Sequence, residues 1–246
     1  MRFFKIFILC IFVFPFYGCS STKINVEKEN TLAYIRTQPI PSPTVLVAHG
    51  CGGWRDKIYA GWADYMYSLG YNAIVIDSFE FRGHDNLCNK GYIVSPSVRS
   101  EDFEIVAKWL KTQAWHRGKV AVIGFSHGGS TVLNIANNKN ISNIDAVISY
   151  YPYCGKQNGV DFIGESIDNP RIPVQVHLGD DDTWTPPYLC GTMKKYEVYH
   201  YSNATHGFDM PYKDRQVHGY FLRYNKEATI NSKKHVAEFL KKNLDF

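Results

Sequence analysis

The chain has 246 residues, of which 45% are hydrophobic and 20% are charged. This length and composition fit one large domain, or less readily two small ones, with a full hydrophobic core. Lys and Arg together number 27, Asp and Glu 23, and the formal net charge is +4. That near balance excludes the dense positive charge with which nucleic-acid-binding proteins contact phosphates, so no nucleic-acid partner is expected.

The first residues have the organisation of a signal peptide. Arg2 and Lys5 precede an apolar stretch over residues 6–16, which is too short to cross a bilayer comfortably as a permanent helix. A small residue then stands directly before Cys19, as in the lipobox of bacterial lipoproteins. We therefore predict a signal peptide over residues 1–18, cleavage before Cys19 and lipid attachment there. The alternative is an ordinary signal peptide cut nearby, with Cys19 incidental.

Lipid attachment at Cys19 predicts a membrane-anchored protein of the bacterial cell envelope that faces the periplasm or the outside. An ordinary signal peptide, the alternative, predicts a secreted protein. A polar segment over residues 19–30 predicts a flexible tether, and the regular pattern over 31–246 predicts one folded domain.

Short apolar runs alternate with longer amphipathic stretches along this domain. The alternation predicts an α/β fold in which a parallel sheet is covered by helices on both faces. Strands are expected at 44–48, 73–76, 119–123, 146–149, 174–178 and 197–201, and helices at about 59–69, 97–112, 129–137 and 232–244. In such a fold, reactive groups belong in the loops after the carboxyl ends of the strands.

The segment Gly124-Phe-Ser-His-Gly128 follows one of these expected strands directly and precedes an expected helix. A serine on a sharp strand-to-helix turn presents its hydroxyl as a nucleophile, and the flanking glycines let strand and helix pass without side-chain clashes. The pattern therefore predicts acyl-transfer chemistry at Ser126. The pentapeptide alone is a weak signal, so the prediction depends on finding partners for the serine.

A nucleophilic serine needs a general base, and the base needs an acid that orients it. His206 lies in a loop shortly after the last expected strand, where the chain order serine, acid, histidine demands the base. The acid is expected after the strand at 174–178, where Asp180, Asp181 and Asp182 stand in a row. Asp182 is favoured because a tight loop after Gly179 aims it at His206, with Asp181 as the alternative.

The negative charge of a tetrahedral intermediate needs backbone N–H donors, which form the oxyanion hole. One donor is expected from His127, directly after the nucleophile. The other is expected from the glycine-rich loop 49–54 after the first buried strand, with Cys51 preferred and Gly52 as its neighbour.

Six ordered motifs together resemble the dienelactone hydrolase family of α/β-hydrolases. They are His49-Gly-Cys-Gly-Gly53, Asp77-Ser-Phe79 with Arg82-Gly83, Gly124 to Gly129, Tyr151-Pro-Tyr-Cys154, Gly179 to Pro186 and His206-Gly-Phe-Asp209. The resemblance spans nearly the whole mature chain. It implies a single-domain α/β-hydrolase fold with a mostly parallel central sheet, helices on both faces and a minimal cap, and a triad of Ser126, Asp182 and His206.

The family's founding members have a cysteine nucleophile, whereas this chain has serine, as many of its relatives do. Hydrolysis of an ester or lactone is therefore expected, while dienelactone itself is left open as the substrate. The same triad also suits a peptidase or amidase, or an acyltransferase. A third hypothesis is a non-catalytic binding lipoprotein on a hydrolase fold.

Three further side chains lie beside the expected catalytic loops. Arg82 either binds a substrate carboxylate or forms a structural ion pair with a loop acid such as Asp85. Trp54 and Trp184 either form apolar walls of the substrate pocket or pack in the core.

Four cysteines remain once Cys10 leaves with the signal peptide and Cys19 carries lipid. An exported protein is expected to form disulfides, and four cysteines allow three pairings. Cys154–Cys190 is preferred because both residues follow neighbouring strands. Cys51–Cys88 is the second expected bridge, although Cys51 lies in the oxyanion loop. Neither CxxC nor HxxxH spacing occurs, so no zinc site, and no cofactor, is expected.

Overall fold

A computed structural model describes residues 23–27, 31–54, 57–163 and 169–244. The strands are β1 Leu32–Arg36, β2 Ser42–Ala48, β3 Asn72–Ile76, β4 His116–Phe125, β5 Ala146–Tyr150, β6 Lys156–Gln157, β7 Val160–Asp161, β8 Val174–Gly179, β9 Glu197–Tyr201, β10 Arg215–Val217 and β11 Tyr220–Leu222. The helices are α1 Lys57–Ser68, α2 Pro96–Leu110, α3 His127–Asn137 and α4 Lys226–Leu244. The expected signal peptide and Cys19 lie outside the described residues, so both stay predictions.

Seven strands form the central sheet in the order β1-β3-β2-β4-β5-β8-β9. All neighbouring pairs are parallel except β1 and β3, so the expected mostly parallel sheet of a single α/β domain is confirmed. Strand β1 was not expected, because an edge strand with half-exposed residues lacks the continuous apolar run that marks the buried strands. Between β5 and β8, the described residues form only the short hairpin β6–β7.

Helices cover both faces of the sheet, as the alternating pattern predicts. Strand β2 shows how this is encoded: Val45 and Val47 face the core cluster that includes residues of α1 and α4, while Leu46 and Ala48 face the one that includes residues of α2 and α3. All four side chains are fully buried, so the strand needs apolar residues at every position rather than at alternate ones.

Residues 23–27 lie on the domain, although the sequence places them in the tether. Ile24 is only 5% exposed and belongs to the core cluster on the α2–α3 side of the sheet. Burial of this one isoleucine side chain holds residues 23–27 against the domain. In the described part of the chain, no helix is long and apolar enough to cross a membrane.

Candidate active site

Ser126 occupies the sharp turn between β4 and α3. Its backbone has φ 55° and ψ −115°, a conformation that residues with a side chain rarely adopt. Glycine is required on both sides: a Cβ on Gly124 would collide with the carbonyl of Gly128, and one on Gly128 with the carbonyl of Ala48. The Ser126 N–H donates to the Tyr150 carbonyl at 2.9 Å, which ties the turn to β5. The turn has the geometry that the sequence predicts.

His206 joins this serine to a carboxylate. Its Nε2 lies 3.0 Å from Oγ of Ser126, and its Nδ1 lies 2.7 Å from Oδ2 of Asp182. A carboxylate only accepts, so Nδ1 carries the proton and Nε2 is left to accept the serine hydroxyl. His206 is 5% exposed and Asp182 3%, so water has little access to either bond.

Asp182 is held in place by the loop that follows it. Its Oδ1 accepts the N–H groups of Trp184 and Thr185 at 2.9 and 2.8 Å. The Thr185 hydroxyl lies 2.8 Å from Oδ2 of Asp182 and 3.1 Å from Nδ1 of His206. Sequence reasoning missed Thr185, although an aspartate that accepts from backbone two and three residues later is a familiar turn signal.

The two neighbouring aspartates point away from the histidine. Asp180 is exposed and accepts from Nδ1 of His200 at 2.8 Å and from the Ser202 hydroxyl at 3.3 Å. Asp181 is also exposed, and its N–H donates to the Ala204 carbonyl. Of the three candidates, the structure brings only Asp182 to His206.

A second buried carboxylate, Asp209, holds the loop that carries His206. It accepts the Tyr151 hydroxyl at 2.6 Å and Nε1–H of Trp62 at 2.7 Å, and burial raises its pKa. The Tyr151 ring in turn meets the His206 ring edge-on, with ring centroids 4.7 Å apart. The motif His206-Gly-Phe-Asp209 therefore combines the expected base with an anchor for its loop.

Both expected oxyanion residues line the same cavity as Ser126. His127 is the first residue of α3, where backbone N–H groups have no partner inside the helix. Cys51 lies on the loop after β2, and its carbonyl accepts from the N–H of Leu87 at 2.8 Å. The neighbouring Gly50 N–H donates to the Tyr59 hydroxyl at 2.8 Å, which fixes the loop from its other side.

The cavity beside Ser126 has a volume of about 150 Å³. Besides Ser126, Cys51 and His127, its walls include Leu87, Gly91, Tyr153, Gln157, Phe162 and Trp184. Trp184 therefore lies in the cavity wall, which is one of the two positions expected for it. Trp54 instead lines a neighbouring groove with Gly52 and Asp77. Tyr153, Gln157 and Phe162 were not foreseen, since nothing in the sequence shows how the connection from β5 to β8 folds over the serine.

Arg82 does not reach the cavity, so its expected role in binding a substrate carboxylate is wrong. Its side chain is 1% exposed and donates to both oxygens of Asp102 at 2.7 and 2.8 Å. The guanidinium also donates to the Ser78 carbonyl at 2.7 Å. The alternative of a structural ion pair holds, but with Asp102 of α2 rather than Asp85. The attraction between these two buried charges offsets the cost of removing each from water.

Both expected disulfides are present. Cys51 is bonded to Cys88, and Cys154 to Cys190. The first bridge ties the expected oxyanion loop to the loop after β3 and borders the cavity, whereas the second lies outside the cavity wall. Among the described residues, no group of His, Cys, Asp or Glu side chains could hold a metal ion.

Three histidines near the carboxyl edge of the sheet are buried in a neutral state. Burial, reinforced by the Arg99 guanidinium, lowers the pKa of His49 and lowers that of His127 to about 3. Burial, reinforced by His235, lowers the pKa of His177 well below its ordinary value. In an unfolded chain these imidazoles have a pKa of about 6.5.

Acid is therefore expected to weaken the fold through these histidines. Below about pH 6.5 the unfolded chain binds protons that the folded chain does not, so their stabilising contribution is complete above that pH and falls below it. Each histidine contributes up to about 1.4 kcal/mol per pH unit. Urea unfolding at pH 7.5, 6.0 and 5.0 measures the slope, and His177→Gln should make it shallower. An unchanged slope in that variant would contradict the assignment.

Comparison of the sequence with known protein families identifies the family of this chain. A sequence model of the dienelactone hydrolase family matches residues 30–244. The chain belongs to the dienelactone hydrolase family. The resemblance noted from the motifs is therefore confirmed at the level of the family.

Solved structures share the fold of this family member. A putative dienelactone hydrolase from Klebsiella pneumoniae is 19% identical with a TM-score of 0.69, covering 84% of this chain and 90% of that one. A dienelactone hydrolase from Anabaena variabilis is 18% identical with a TM-score of 0.61, covering 83% and 89%. Est1E from Butyrivibrio proteoclasticus, solved with ferulic acid bound, is 15% identical with a TM-score of 0.61, covering 85% and 93%.

A curated relative is the quorum-quenching protein AidA of Acinetobacter baumannii, 27% identical over 130 residues. The match covers 52% of this chain and 41% of AidA, so the chain spans about two fifths of that protein's length.

Proposed function

We propose that this hydrolase is a serine esterase that works through an acyl-enzyme on Ser126. The observation that carries the proposal is the unbroken hydrogen-bond chain from Oγ of Ser126 through His206 to Asp182. A scaffold protein that only binds needs no such chain, and a buried histidine and carboxylate are costly to keep without a partner. The strained backbone at Ser126 supports the same reading.

The reaction follows from these contacts. Oγ of Ser126 attacks the ester carbonyl while its proton passes to Nε2 of His206, and the imidazolium is stabilised by Asp182. The carbonyl oxygen becomes an oxyanion that accepts from the N–H groups of Cys51 and His127. When the carbon–oxygen bond of the ester breaks, Nε2 returns its proton to the leaving alkoxide. Water then attacks the acyl carbon while Nε2 of His206 takes its proton. The bond from that carbon to Oγ of Ser126 breaks, Oγ regains the proton from Nε2, and the acid leaves.

The cavity favours small substrates. An apolar cavity of about 150 Å³ in another protein holds one benzene molecule, and the space here is of that order. Aromatic side chains of Tyr153, Phe162 and Trp184 supply much of its wall, and they offer both faces and edges to a flat group. Esters and lactones that place one ring or a short acyl chain beside Ser126 therefore fit the volume of this cavity.

Labelling with a fluorophosphonate probe tests the proposal, because the probe reacts only with an activated serine. Native protein is expected to gain one adduct, located by mass spectrometry on the peptide that contains Ser126. The Ser126→Ala variant should gain none, and wild type denatured beforehand provides the control for unspecific reaction. If folded wild type stays unlabelled, or if Ser126→Ala labels as strongly, the serine-esterase proposal is wrong.

Parallel assays with p-nitrophenyl acetate and the matching p-nitroanilide separate the esterase from the amidase reading. The ester should be the far better substrate. Faster turnover of the anilide would favour the peptidase or amidase alternative on the same triad.

A further inference from the structure

One arginine touches both segments that carry the proposed oxyanion donors. Arg99 of α2 is fully buried; its Nη2 donates to the His49 carbonyl at 2.9 Å, and its Nη1 lies 2.8 Å from Nδ1 of His127. A guanidinium only donates, so Nδ1 of His127 accepts and Nε2–H of the same ring donates to the Gly91 carbonyl at 3.0 Å. Arg99 therefore bridges the loop after β2 and the first residue of α3.

The His49 side chain extends this contact to the peptide unit that holds the Cys51 N–H. Its Nε2 accepts the N–H of Ser78 at 3.3 Å, which leaves the proton on Nδ1. Nδ1–H then donates to the Gly50 carbonyl at 2.7 Å. That carbonyl and the Cys51 N–H belong to one peptide group. A hydrogen bond to the carbonyl fixes the plane of this group and polarises its N–H as a donor.

Arg99 is a costly residue to bury for packing alone. Both of its hydrogen bonds go to neutral groups of the two oxyanion segments, and its Nε has no hydrogen-bond partner among the described residues. A nearby buried arginine, Arg82, is instead paired with both oxygens of Asp102. Asp102 and Asp77 also favour the charged form of Arg99 by Coulombic attraction, and its guanidinium carbon lies 5.0 Å from the centroid of the Phe79 ring. Its hydrogen bonds nevertheless differ from those of Arg82, because they reach the two oxyanion segments instead of a carboxylate.

We propose that Arg99 is a positioning residue of the oxyanion hole, which aligns the Cys51 and His127 N–H groups through His49 and the His127 ring. The proposal rests on the proposed esterase function of the same site. A cation at this point also favours the negative charge that develops on the substrate oxygen. Burial lowers the pKa of Arg99 to about 10, so the guanidinium keeps its charge at neutral pH.

The test distinguishes a role of Arg99 in aligning the oxyanion hole from a purely structural role in packing helix α2. Wild type, Arg99→Met, Arg99→Lys and Phe103→Leu are compared. Phe103 is the matched control, because it is buried on the same helix in the apolar core cluster. For each variant, kcat and KM are measured with p-nitrophenyl acetate, together with the affinity for an aryl trifluoromethyl ketone, whose adduct on serine carries an oxyanion.

Arg99→Met should lower kcat by about tenfold or more, change KM by less than about threefold, and weaken binding of the ketone by the same factor as kcat. Arg99→Lys should recover part of both losses, and Phe103→Leu should leave the ratio of ketone affinity to KM unchanged. The proposal is overturned if Arg99→Met keeps wild-type kcat and ketone affinity, or if KM rises while ketone affinity does not fall.

Should Arg99→Met fail to fold, Arg99→Lys decides alone by the same comparison. Its ammonium group cannot span both acceptors as the planar guanidinium does, so kcat and ketone affinity should still fall together. If Arg99→Lys has the same kcat and the same ketone affinity as wild type, the proposal is overturned. Failure of the esterase function is recognised separately, since wild type would then neither turn over the ester nor bind the ketone.

Discussion

Asp182→Asn is expected to lower kcat by about 10⁴-fold while the fold is retained. The carboxylate keeps the proton of His206 on Nδ1, where it lies 2.7 Å away. An amide in its place can donate to Nδ1, which moves the ring proton to Nε2 and removes the acceptor for the Ser126 hydroxyl. The amide oxygen still accepts from Trp184 and Thr185, so the loop keeps its shape.

Steady-state turnover of p-nitrophenyl acetate measures this effect. Asp180→Asn and Asp181→Asn are the matched controls, because both carboxylates are exposed and neither reaches His206. Each should keep kcat within about twofold of wild type, since exposed surface charges contribute little. Full turnover in Asp182→Asn would refute the assignment of the acid, and a large loss in Asp181→Asn would restore the alternative.

The second large effect is expected from removing the bridge between Cys51 and Cys88. The two disulfides span 37 and 36 residues of sequence, so each should stabilise the fold by a similar amount, about 2–4 kcal/mol. Only the first includes a proposed oxyanion donor. Loss of one such donor costs about 10²-fold in kcat, so the double variant Cys51→Ser/Cys88→Ser should approach that loss.

The double variant Cys154→Ser/Cys190→Ser is its control. It should lose similar stability in urea unfolding yet keep kcat within about threefold at a temperature where both variants are folded. Equal kcat in the two variants would mean that the Cys51–Cys88 bridge has no role beyond stability.

The sequence was sufficient for the parts of this protein that depend on local pattern and chain order. Strands β2, β3, β4 and β5 contain continuous apolar runs, Ser126 has a glycine on each side at fixed spacing, and His206 follows the last strand of the sheet. Asp182 could be preferred because a tight loop after Gly179 directs its side chain toward His206. These features are set within a few residues of the strand ends.

Features set by distant packing could not be predicted. Arg82 lies 20 residues before its partner Asp102, and nothing in the sequence distinguishes that aspartate from nearer ones. The network of Arg99 with His49 and His127 likewise joins three elements that meet only in the folded protein. The cavity wall at Tyr153 and Phe162 depends on how one long connection folds back over Ser126.

The position of the N-terminal segment limits how far the domain can lie from a lipid on Cys19. Strand β1 runs antiparallel to β3, so its first residues lie at the edge of the sheet that holds Ser126, and the Thr31 carbonyl accepts from the N–H of Asp77 at the end of β3. If Cys19 carries lipid, as its sequence context predicts, the five residues to Ile24 reach at most roughly 18 Å. A lipid on Cys19 would then hold the domain close to the bilayer surface.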